Sequence, residues 1–384
     1  MPIVMLLGIA ACGGNGSETL GTHALTSAPT LEEPGVSACA GSRIGQAQCD
    51  ALVRLGTNPN VPGLSATNLE AAYKLTSHLN LGGNQKVAIV TVGDNPNVTS
   101  DVQTYRVAFA LPVPAHLKKY NQLGQQFAYP PGNVSWGLNT DMAAEMISAS
   151  CPKCHILVVE ANSANWSDLQ TAEAEAVTLH AKIIENGFSG TGANVAFFST
   201  PHITYVADSG DAGYGIEDPA DFASVVSVGG TVLTQAPMTP RGWTEKVWNG
   251  TGAGCSTVTK PAWQGDPGCT FRTANDVSAE ADLNVAIYDS YTAPTYTGWL
   301  VAGGTNVASG LVAGIFGLAG NATAQNGGQT FWIAAHQAHL YPILSGSDGS
   351  CGTTWPYLCA AGTAQYGNYS GPSGWGSPKG IGAF

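Results

Sequence analysis

The stretch that most constrains the fold is "KVAIVTV", Lys86 to Val92, a continuous apolar run of strand length. A strand with one wet face alternates apolar and polar residues, whereas one apolar on both faces suits a parallel sheet covered by helices on each side. Comparable runs are "HILVVEA" from His155, "AKIIENGF" from Ala181, "ITYVADSG" from Ile203, "SVVSVGGT" from Ser224 and "VAIYD" from Val285. Helical patterns separate several of them, notably "TDMAAEMISASC" from Thr140 and "WSDLQTAEAEAVTLHA" from Trp166, and "GLSATNLEAAYKL" from Gly63 precedes the first strand. This alternation predicts an α/β fold with a doubly wound, mainly parallel sheet, in which sites gather at the carboxyl ends of the strands.

The chain has 384 residues, enough for one large core or two ordinary ones. Only 10% of residues are charged, with 14 Lys and Arg against 26 Asp and Glu. No basic run with interleaved aromatics occurs, which argues against nucleic acid as a partner. The net charge of -12 favours solubility. "GLVAGIFGLAG", from Gly310, is too short to span a bilayer.

Residues 1–12, "MPIVMLLGIAAC", form a short apolar run ending in small residues before Cys12, which reads as a lipoprotein signal; the alternative is an ordinary signal peptide with an incidental cysteine. Residues 13–60 read as a flexible tether, rich in Gly, Ser, Thr and Pro up to position 37, followed by a short loop between Cys39 and Cys49. Residues 61–384 read as one enzyme-like domain. Apart from Cys12 the eight cysteines fall into neighbours, Cys39 with Cys49, Cys151 with Cys154, Cys255 with Cys269 and Cys351 with Cys359. That pattern predicts four local disulfides and an exported protein. Cys151-Pro-Lys-Cys154 also suits a redox pair or half a zinc site, but no second CxxC or neighbouring His pair completes a metal set.

"WLVAGGTNVASGLVAGIFGLAG", Trp299 to Gly320, reads as a strand, a glycine turn and a long apolar helix. Hydrolases present a nucleophile on this layout, because a side chain at a helix N-terminus is flanked by free N–H donors. The residue at the apex is Asn306, whose amide nitrogen is not a nucleophile.

From about Gly63 onward the sequence resembles bacterial sedolisins, the serine-carboxyl peptidases with a subtilisin-like fold. The resemblance rests on "NLEAAYKL", "VAIVTVGDNPN", "CPKCHILVVEANSA", "SGDAGYG", "SVVSVGGT", "RGWTEKVW", "GGTNVAS" and "GPSGWGSPKGIGAF", in family order. It implies a serine-type endopeptidase in which a Ser is activated by a Glu, itself oriented by an Asp one helical turn further on, while a second Asp helps form the oxyanion hole. The implied positions are Asn306 for Ser, Asn139 for Glu and Ala143 for Asp, so all three are substituted. Asp211 keeps the oxyanion position, though an Asp capping a tight glycine-flanked turn accounts for it equally. Subtilisins proper need an Asp at the end of the first strand and a His on the next helix; Thr91 and a helix without histidine stand there.

Asp141 and Glu145 form an i,i+4 pair, but a two-residue shift turns a helix by about 200°. They are expected to face away from Asn306 as solvated or locally bonded carboxylates. The family's calcium carboxylates correspond to Pro342 and Ser370, so that site is expected to be lost and no cofactor is expected. The sequence therefore points to an exported sedolisin homologue, catalytically inactive, lipid-anchored at Cys12 or secreted, whose former substrate cleft binds a peptide or protein. The alternatives are an active endopeptidase with a non-standard arrangement and a structural cell-surface protein.

Overall fold

The computed structural model describes residues 35–39, 45–54, 63–291 and 298–384. Cys12, the proposed signal and most of the 13–60 tether lie outside the described residues. Within that segment, however, Gly35–Ser37 (β1), Ala47–Cys49 (β2) and Leu52–Arg54 (β3) are short strands. Residues 35–37 were expected to continue the tether; they pair with β3 instead. Backbone groups that leave water need partners, and β2 and β3 also pair with distant parts of the chain.

Beyond Gly63, α1 (Ala66–Ala72) begins at Ser65, whose side chain accepts from Asn68 N while Asn68 answers back in a capping box. The main sheet is built from Lys86–Val92 (β4), Leu117–Asn121 (β5), His155–Ala161 (β6), Ile183–Asn186 (β7), Thr204–Asp208 (β9), Val225–Gln235 (β10) and Trp243–Val247 (β11), while Phe188–Gly190 (β8) stands off it. Its order is β11-β10-β9-β7-β4-β6-β5, all parallel but for β11. The hairpin Gly254–Thr259 (β12) and Phe271–Ala274 (β13) leads to Val277–Glu280 (β14), an eighth strand of the main sheet that pairs parallel with β10. Val285–Asp289 (β15) joins Gly298–Gly303 (β16) and, through it, β3 and β1 in a separate antiparallel sheet. "VAIYD" is thus a strand as expected, but not one of the parallel set.

Helices α3 (Val134–Ser150), α4 (Trp166–Thr178) and α5 (Thr305–Ala319) cover the main sheet, and α2 (Val98–Ala108) packs on α3 and β15. Every residue of α3 from Trp136 to Ser150 is buried, as is α5 from Thr305 to Leu318, so each is packed on all sides rather than along one stripe. Small side chains bring the two together: a Cβ at Gly310 would stand 3.2 Å from Ala143 Cα, and one at Gly314 would stand 3.1 Å from Ile147 Cα. The mainly parallel sheet between helices is the α/β arrangement expected from the strand pattern. All four expected disulfides are present. Cys151 and Cys154 are buried beneath Gly82 and Gly317, where a Cβ would strike sulfur, so their bridge is packing rather than an accessible redox pair.

Candidate functional site

The site forms where α5 leaves β16. Gly304 holds φ at +103°, and a Cβ there would lie 2.6 Å from Asp211 Oδ2 and 2.9 Å from the Asp50 carbonyl oxygen, so both conformation and space require glycine. Asp211 Oδ1 accepts from Thr305 N at 2.7 Å and from Thr305 Oγ1 at 2.9 Å. Asp211 therefore anchors the start of α5 instead of only capping its own turn, and a carboxylate there suits the positive end of a helix. Burial pushes its carboxyl up to about 6, against the two bonds from Thr305, which pull it down.

Asn306 is fully buried. Its Nδ2 donates to Asn139 Oδ1 at 2.7 Å and to Asn139 O at 2.9 Å, and Asn139 Nδ2 passes on to Gly187 O at 2.9 Å. Residues 167 apart in sequence thus meet as an amide pair. Ala143 lies one helical turn beyond Asn139, facing Gly310, which lies one turn beyond Asn306. The arrangement offers no thiol, hydroxyl or carboxylate at the apex: neither amide takes up a proton near neutral pH, and neither nitrogen attacks a carbonyl. Of the neighbouring hydroxyls on α5, that of Thr305 is bonded to Asp211, and that of Ser309 is buried and donates to Glu185 Oε1 at 2.7 Å. Burial raises the Glu185 carboxyl to about 8, with the Ser309 bond opposing. Thr91 Oγ1 and Thr140 Oγ1 share a hydrogen bond of 2.8 Å at the end of β4.

Asp141 and Glu145 turn the other way, as the helical rotation predicts. They are not solvated, however: both are fully buried, Asp141 Oδ2 accepting from Asn95 Nδ2 at 2.8 Å and Glu145 Oε2 from Tyr288 N at 3.0 Å.

Three features of the site were not visible in the sequence pattern. First, β2 runs antiparallel to β8, and Asp50 N donates at 3.4 Å to Gly187 O, the same carbonyl that takes Asn139. The chain's own N-terminal segment therefore lies along the edge beside Asn306. Second, the buried Asp50 and Asp208 join the half-buried Asp211 as a set of carboxyl groups; burial, then the neighbouring carboxylates, push Asp50 and Asp208 well above the usual range. Third, a cleft of about 500 Å³ opens beside them, walled by Asp50, Asp211, Glu217, Ser189 and Tyr214 among others and, among the described residues, by no basic side chain. Near the C-terminus, Ser370 Oγ bonds Ser373 Oγ at 2.6 Å, and the Cys351–Cys359 bridge lies close by in sequence.

Among solved structures, a Pseudomonas sedolisin complexed with two molecules of pseudo-iodotyrostatin superposes with a TM-score of 0.67 and 23% identity, over 83% of this chain and 96% of that one. The fold is sedolisin-like. An S41 psychrophilic protease matches the sedolisin-like chain with a TM-score of 0.53 and 15% identity, over 84% of this chain and 99% of that one. Fervidolysin from Fervidobacterium pennivorans, a keratinolytic enzyme related to subtilisin, gives 0.50 at 12% identity, over 86% and 48% of the two chains. No protein-family model and no curated protein matches the sequence.

Proposed function

We infer that the chain is an exported sedolisin homologue without peptidase activity. The observation that carries this reading is the buried Asn306–Asn139 amide pair at the head of α5, where a peptidase needs a nucleophile and its base. Members of a catalytic unit act together, so a lone Asp211 carries no such reaction. A relocated dyad is disfavoured because Asp141 and Glu145 bond to Asn95 and Tyr288, away from Asn306.

Binding replaces catalysis in this reading. The β8 edge is taken by β2, so a peptide or protein ligand enters the open cleft before Asp50 and Asp211, or displaces the N-terminal segment. The acidic walls favour a cationic ligand segment. A purely structural role follows if the cleft takes no ligand. Incubating the purified protein with a mixed peptide library, from acidic to neutral pH, tests all three: retention of basic peptides without cleavage is expected, and reproducible cleavage overturns the reading.

The disulfides agree with an oxidising, extracytoplasmic compartment, and no helix among the described residues is long and apolar enough to cross a membrane. Attachment through a lipid on Cys12 is part of the proposal; equal partitioning of full-length protein and Cys12→Ala between membrane and soluble fractions would leave secretion instead. The C-terminal calcium carboxylates implied by resemblance are replaced by Pro342 and Ser370, and we assign no ion to that loop.

A further inference from the structure

Behind α3, on the side away from Asn306, lies a second concentration of acid. Asp101 of α2, Asp141 of α3 and Asp289 at the end of β15 each offer a carboxylate oxygen, and the three oxygens lie within 4.8 Å of one another, all three residues buried. Glu145, one turn along α3 from Asp141, has Asp141, Asp101 and Asp289 as its charged neighbours. No ion pair among the described residues reaches Asp101, Asp141 or Glu145. Taking even one carboxylate out of water is costly unless a cation or several hydrogen bonds compensate.

At Asp141 and Glu145 the hydrogen bonds present do not complete the compensation. Asp101 receives Ser290 N at 2.9 Å and Ser290 Oγ at 2.7 Å, and Asp289 Oδ1 receives Tyr291 N at 2.7 Å. Asp141 Oδ1 and Glu145 Oε1, by contrast, are fully buried carboxylate oxygens with no hydrogen-bond partner, on side chains whose strongest charged neighbours belong to this same group. Asp141 thus brings an orphaned oxygen to a cluster of three buried carboxylates, and an uncompensated buried carboxylate calls for a cation.

We propose that Asp101, Asp141 and Asp289 bind one calcium ion, with Glu145 alongside, clamping α2 and α3 to the end of β15. Oxygens each about 2.4 Å from one calcium stand at most about 4.8 Å apart, and the three carboxylate oxygens meet that limit. The donor set is oxygen only, which excludes the softer thiolate and imidazole sites of zinc and copper. Magnesium holds its water shell tightly and suits wet sites, whereas a buried cage of carboxylates suits calcium. The ion would brace the helix that carries Asn139 from its far side, independently of whether the cleft binds or cleaves anything.

The test uses the purified full chain. Metal analysis after dialysis against micromolar calcium is expected to find one calcium per chain. Adding calcium to chelator-treated protein at neutral pH is expected to raise the melting temperature by roughly 3–6 °C at saturation. Asp141→Asn, nearly isosteric, should abolish both binding and the calcium shift while melting no lower than wild type in chelator, because one buried charge has gone. If that variant fails to fold, wild-type stoichiometry and melting decide alone. Absence of bound calcium with no shift overturns the proposal, as does an undiminished calcium response in folded Asp141→Asn.

Discussion

In the function proposed above, one side chain at position 306 separates a peptidase apex from an inert one, and Asn306 is closely fitted by its neighbours. Its Nδ2 makes two hydrogen bonds to Asn139, and a Cβ at Gly187 would collide with its Oδ1 at 2.3 Å. Replacing it by serine removes both bonds and leaves Asn139 Oδ1 buried without a donor, at a cost of about 1–3 kcal/mol. The hydroxyl so introduced still lacks a base, since Asn139 and Ala143 supply no carboxylate. Asn306→Ser is therefore expected to melt several degrees lower and to remain unlabelled by a fluorophosphonate probe; labelling at wild-type stability would show that a base has been overlooked. Glu185 does not fill that part, being already bonded to Ser309 and mostly protonated below pH of about 8.

At the scale of elements, the contact of α3 with α5 brings Asn139 to Asn306, and it depends on glycine. A Cβ at Gly310 would sit 3.0 Å from Met146 Cβ and 3.2 Å from both Ala143 Cα and its carbonyl. A glycine inside a helix loses about 1 kcal/mol relative to alanine, so the close approach must return at least that. Gly310→Val gains little in helix propensity and adds a branched side chain where no space exists, so it is expected to destabilise by about 1–3 kcal/mol. Chemical denaturation measures this directly, and an unchanged midpoint would mean that the helices separate without penalty. These elements were legible in sequence to different degrees. The apolar runs of β4 and β6 mark their own ends, and the glycine turn before Asn306 announces α5. Helix α2 escaped because its Ser, Thr and Asp residues resemble a turn, although Val98, Val102 and Tyr105 do line its buried side. Strands β1 to β3 are three residues each, and β2 and β3 find partners far along the chain in β8 and β16, so no local period reveals them. The resemblance, with a count back from "CPKC", singles out Asn139 and Ala143, and the structure sets Asn139 against Asn306. Asp50 and the Asp101–Asp141–Asp289 group could not be placed in this way, since each gathers residues from separate elements.

At the scale of the whole molecule, carboxyl groups buried without cations should set how stability responds to pH. Burial lifts Asp211 to about 6, Asp348 to about 7 and Glu185 to about 8. In the unfolded chain such groups titrate near 4, so each takes up a proton on folding anywhere between those limits. For an acid raised in the folded state the contribution is complete below the unfolded value and is lost as pH rises through the folded one, because the unfolded chain then binds fewer protons. Stability measured in chelator, which removes any calcium contribution, is therefore expected to fall from about pH 5 to pH 8. The net charge of -12 acts in the same direction by general repulsion, so the slope alone does not identify its source. Glu185→Gln separates the two. It changes the overall charge by one unit at most, yet it removes the group that titrates highest of the three, and Gln can still accept from Ser309. If buried carboxyls control the profile, this variant loses less stability than wild type between about pH 7 and pH 8, while their difference is smallest near pH 5. Parallel melting curves across the whole range would assign the slope to net charge instead.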